Sequence, residues 1–192
     1  MCNDVSLAEF EGPLTELAQQ CKNRARFDEF KLWLKKVPGR LLKLIGMVTV
    51  SAIKKFVAAD NFKIGNAGIA HLGNNFKANF LGKVEKSVEG TTLVVSRLEK
   101  ASFDKDIRSE LGSDKEEVSL YHLFELLNKQ SSVGQFGPLL TNGFANIFYI
   151  RDTNGTLWAV GVDCAGYGWV DDADSVTDPN GWSDGIQVFS RK

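Results

Sequence analysis

The residues best suited to recognition are aromatic, and they gather near the end of the chain. Phe148, Tyr149, Trp158, Tyr167, Trp169, Trp182 and Phe189 lie within residues 146–192, a stretch holding three of the four tryptophans. Such a set fits either a stacking platform for a small ligand or glycan, or a contact with another subunit. Each large aromatic covers roughly 150–250 Å², so hiding one contributes about 4–6 kcal/mol as an upper bound. A monomer rarely leaves more than a few hundred Å² of contiguous apolar surface in water, so one or two of the seven are expected to be free. The candidates for ligand or partner contact are Tyr149, Trp158, Tyr167, Trp169 and Trp182. Strand alternation sends Phe148 and Tyr149 to opposite faces, so a sheet covered on one side shows one of them outward.

Other chemistries find fewer parts. The run Asp171-Asp172-Ala173-Asp174, with Asp178 and Asp184 beyond it, suggests a hard cation. A calcium loop starting at Asp172 would need Gly and Glu where Thr177 and Ser183 stand. These acids therefore read as solvated positions and turn caps, and no metal is expected. For nucleophilic catalysis there are Cys164, His71 and His122, in separate segments, without a G-x-S-x-G, H-E-x-x-H or C-x-x-C pattern. Cys164 sits among acids, which disfavours a thiolate. His122 lies off the apolar stripe of its helix and is expected in solvent. Gly65, Gly68 and Gly73 have the spacing G-x-x-G-x-x-x-x-G, with neither the preceding strand nor the following helix of a dinucleotide loop. No catalytic residue and no cofactor is assigned, and an enzyme without a familiar motif stays open.

Charge narrows the partners. Residues 1–63 carry 11 Lys or Arg against 7 Asp or Glu, whereas residues 146–192 carry 3 against 7, and the whole chain sums to −1. A basic start could contact phosphate, yet nucleic-acid affinity needs many such contacts and little net charge remains to steer them. A protein partner or a second copy is the better expectation. Cys2, Cys21 and Cys164 are odd in number and far apart, which argues for a reducing, cytoplasmic setting rather than a disulfide framework. No apolar leader follows Met1, and the most apolar run, 41–53, is too short to span a bilayer.

Apolar spacing predicts helices over 13–26 and 27–37, the second with a basic outer face. Residues 41–50 are expected as a strand on the strength of Val48, Thr49 and Val50, with Ser51 capping a short helix through Phe56. A loop around a short strand follows, then a strand over 91–98. Ser102 is expected to cap a helix over 103–111 that Gly112 closes. Leu120, Leu123, Phe124 and Leu127 mark a helix over 120–130. The Gly-rich segment 131–143 separates a helical part from the sheet. Asn154-Gly155 between apolar runs is a hairpin signal, and four strand candidates over 146–192 read as an antiparallel meander.

The segments N-I-F-Y-I-R-D-T-N-G-T-L-W-A-V and G-W-S-D-G-I-Q-V-F-S-R resemble the C-terminal part of uncharacterised bacterial proteins. The resemblance implies a bacterial cytosolic origin and supplies no site.

Taken together, the expected fold is α+β, with helices packed on a mixed or antiparallel sheet ending in a C-terminal β-meander. Residues 1–63 form a helical N-terminal region, and 64–192 an α+β region whose meander spans 146–192. The expected role is a non-enzymatic binding or assembly protein that recognises a protein partner or itself through an aromatic sheet face. The alternatives are a small-ligand or glycan binder through Trp and Tyr stacking, and a weak nucleic-acid binder through the basic N-terminal helices.

Overall fold

The computed structural model describes residues 40–133 and 137–192, and residues 40–192 cluster as one unit. The two helices expected over 13–37 lie outside the described residues.

A strand buried on both faces anchors the architecture. β6 (Asn146–Arg151) is N-I-F-Y-I-R, apolar at successive positions, and all but its last residue are buried. Such a strand needs cover above and below it. It stands in the middle of a seven-stranded mixed sheet with the order β1-β5-β9-β6-β7-β8-β3. The other members are β1 (Leu42–Val50), β3 (Ile69–Leu72), β5 (Thr91–Leu98), β7 (Leu157–Ala165), β8 (Gly168–Ser175) and β9 (Gln187–Arg191). β2 (Ile53–Val57) and β4 (Val84–Val88) form a separate antiparallel pair. Among the described residues four α-helices accompany the strands: α1 (Ala58–Asn61), α2 (Asn74–Phe80), α3 (Asp104–Leu111) and α4 (Leu120–Val133).

The fold is thus α+β, with the last strands adjacent in the sheet as expected. β6, β7 and β8 form an antiparallel meander, and its first turn holds Gly155 at φ +83°. Asp152 organises that turn, its Oδ1 accepting from the backbone N–H of Asn154 at 2.7 Å and of Thr156 at 2.9 Å. The fourth strand departs from the meander. β9 inserts between β5 and β6, antiparallel to the first and parallel to the second. Its V-F-S core, buried on both faces like β6, has a place in the middle of the sheet and none at an edge.

Two apolar layers cover the sheet. On one face Phe148, Ile150, Val160, Val162 and Phe189 pack with Phe76 and Phe80 of α2 and Leu120, Leu123 and Leu127 of α4. Phe148 and Phe189 stack across the parallel pair with ring centroids 4.4 Å apart. On the other face Ile147, Tyr149, Leu157, Ala159 and Val188 pack under Ile107 of α3 and against the half-buried Trp182. Phe148 and Tyr149 are consequently both buried, one in each layer.

Two local expectations are corrected. Residues 53–57 are a strand rather than a Ser51-capped helix, because Phe56 turns into the core while the Lys54-Lys55 backbone pairs along β4. α3 begins after Phe103 without a side-chain cap, and the Ser102 hydroxyl bonds the Lys100 carbonyl instead. Gly112 does close α3 at φ +87°.

Candidate functional site

The five aromatic candidates do not share a surface. Tyr149 is wholly buried and donates its hydroxyl to Asp104 Oδ1 at 2.7 Å, and burial pushes its phenol pKa far up. Trp182, half-buried on the same face, donates its indole N–H to that oxygen at 2.9 Å. Trp169 is buried in the opposite layer, where Trp158 also packs while donating to Asp152 Oδ2 at 3.1 Å. Tyr167 stands 74% exposed at the tip of the β7–β8 hairpin, apart from the rest. The reason is that both faces of the sheet are covered, so alternation delivers these rings to two cores. Trp182 and the exposed Phe103 do border a recess of about 200 Å³, and a second of about 100 Å³ lies beside Asp104, Asp174 and Asp178. Among the described residues no three His, Cys, Asp or Glu side chains are placed to hold a metal.

A larger cavity, about 430 Å³, opens at one end of the sheet and is lined chiefly by polar side chains. Topology makes it. β9 runs parallel to β6, so the last residue of each strand, Arg191 and Arg151, emerges at the same end. The β4–β5 junction supplies Lys83, Glu85, Glu89 and Thr91. The approach to α4 supplies Glu117 and Ser119, and the first turn of α4 supplies His122.

The floor is built by helix-end chemistry. The opening N–H groups of a helix have no partner within it and favour negative charge. Glu85 reaches from β4 to accept from Leu120 N–H at 3.0 Å and Tyr121 N–H at 2.9 Å. Ser119 and His122 then form a reciprocal cap. His122 N–H donates to Ser119 Oγ at 3.2 Å, and Ser119 N–H points at His122 Nδ1 at 3.4 Å. This is the Ser-x-x-Glu capping box with imidazole in the carboxylate's place. Nδ1 must be unprotonated to accept, so Nε2 carries the hydrogen and donates to the Glu89 carbonyl at 3.1 Å. Burial lowers the His122 pKa, in keeping with a neutral ring. The expectation of a solvated His122 is therefore corrected: it is 5% exposed and forms a wall of the cavity.

Most charges at the rim are already matched. Arg151 donates to Glu117 Oε2 at 2.8 Å and to the Gly155 carbonyl. Lys83 lies 3.8 Å from Glu85 and donates to the Arg151 carbonyl. Arg191 differs, for its guanidinium donates to the Asp114 carbonyl at 2.8 Å and no carboxylate pairs with it among the described residues.

None of these residues was singled out as a ligand contact from the sequence. They come from four separated stretches, 83–91, 117–122, Arg151 and Arg191, and the Ser119-x-x-His122 spacing at the start of the helix is a local signal that the sequence reading missed. Compared with protein-family models, curated proteins and solved structures, the chain matches none.

Proposed function

We propose that this protein binds a small polar ligand in the cavity between the ends of β6 and β9 and the start of α4. The observation supporting this reading is the convergence of polar groups from four chain segments on one recess of about 430 Å³. That volume lies in the range of roughly 300–1,000 Å³ usual for small-molecule sites. The recess is walled by a capped helix end and by strand termini, so its side chains are held before any ligand arrives, which lowers the ordering cost of binding. Thermal-shift screening of a panel of sugars, nucleosides, amino acids and organic acids tests it. At least one class is expected to raise the melting temperature of the native chain and to lose that effect in Thr91→Phe, which fills the cavity without touching a charge. A panel without a hit, or a hit that Thr91→Phe leaves intact, counts against the reading.

A second reading keeps the assembly role but moves it from the aromatic face to a sheet edge. β1 ends the sheet, and its Leu44, Ile45 and Met47 are 56%, 42% and 55% exposed. Among the described residues no strand pairs with the outer side of β1, and an edge strand with apolar side chains is a template for pairing with another strand, here a second copy of this chain.

A further inference from the structure

The cavity's charges indicate which ligand it takes, an inference that rests on the ligand-binding reading above. Arg151 is matched by Glu117, and Lys83 by Glu85. Glu85 in turn occupies the slot where the N-terminus of α4 would otherwise attract an anion. His122 is neutral and its two ring nitrogens are engaged. Among the described residues, the cation left over is Arg191. Its backbone N–H is fixed to the Lys115 carbonyl at 2.8 Å and its Nη2 to the Asp114 carbonyl at 2.8 Å. Those two bonds aim the guanidinium and leave the rest of its planar donor fork to the cavity.

We propose that the ligand carries an oxyanion, a carboxylate or phosphate, and that Arg191 receives it. A guanidinium fork matches the two oxygens of such a group and binds it more strongly than a neutral donor would. Glu89 sets the limit. Its carbonyl holds His122, and the residue is exposed, lines the same recess and is in no ion pair among the described residues, so its carboxylate adds a negative charge near the site. A ligand bearing one anionic end and an otherwise uncharged or donor-rich body suits this pair, whereas a polyanion meets repulsion from Glu89.

Calorimetric titration of the native chain with inorganic phosphate and with acetate tests the assignment and separates the two oxyanion types. Saturable binding of at least one is expected. Arg191→Gln should weaken it tenfold or more, Arg191→Lys should lose part of it, and Glu89→Gln should tighten it a few-fold. The opposite signs of the two charge removals distinguish recognition from loss of fold, since Glu89 is an exposed residue whose side chain braces nothing. Failure of both anions to saturate, or equal affinity in wild type and Arg191→Gln, would overturn the oxyanion assignment. If uncharged members of the screening panel still bind in a Thr91-dependent way, the cavity remains a ligand site and the oxyanion assignment alone falls.

Discussion

Asp171 has both carboxyl oxygens buried without a hydrogen-bond partner among the described residues. It is completely buried in the layer beneath α2, between Trp169 and Ala173 on β8. Burial and then the neighbouring Asp163 raise its pKa well above the usual carboxylate value, so folding favours its protonated form. A group whose folded pKa is raised gives its full stability below the unfolded pKa, near 3.8, and loses it as pH climbs through the folded value. An unmet buried polar group costs about 1–3 kcal/mol. Asp171→Leu, which keeps the branched shape and removes the polarity, is therefore expected to stabilise the chain by about that much at neutral pH. The gain should shrink towards pH 4, and urea unfolding of both proteins across that window measures it. His122 works in the opposite direction, because its lowered pKa means stability is lost as pH falls and the Ser119 cap is broken. Neither residue was legible. Asp171 read as a solvated turn position because a run of acids normally is one, and His122 read as solvated because a helix stripe does not reveal a second layer packing on its flank.

At the level of elements, local pattern reported faithfully where one layer decides the outcome. The α4 stripe of Leu120, Leu123 and Leu127 is buried as its spacing requires, and β5 and the Asn154-Gly155 hairpin stand where they were expected. Pattern failed where tertiary pairing decides. The segment around Lys54-Lys55-Phe56 has too few apolar positions to choose between helix and strand, and pairing with β4 chose for it. The closing strand read as the next turn of a meander, which would leave Arg191 at the opposite end from Arg151. Insertion beside β6 brings the two together, so the cavity was hidden by one connection. β1 carries the edge prediction. Met47→Lys is expected to abolish any concentration-dependent association of the wild type, as read by light scattering during size exclusion, while changing the unfolding free energy by no more than about 0.5 kcal/mol, as is usual at exposed sites. A wild type that stays monomeric at high concentration contradicts assembly through β1.

For the described residues as a whole, cover on both sheet faces buries most of the aromatic set that the composition suggested as a surface, and the proposed sites lie at an end and an edge of the sheet. Tyr149 and Trp169 serve the two cores, and Trp182 closes one of them. No helix among the described residues is long and apolar enough to cross a membrane. The proposed ligand site is the polar end, where among the described residues a capped helix, a buried histidine and an arginine without a carboxylate partner meet. Mapping the NMR shifts of the isotopically labelled chain on titration with acetate tests this most directly. The account predicts that the largest changes fall on Thr91, Ser119, His122 and Arg191. Changes centred on Phe103 and Trp182, or no saturable change at any residue, would contradict it.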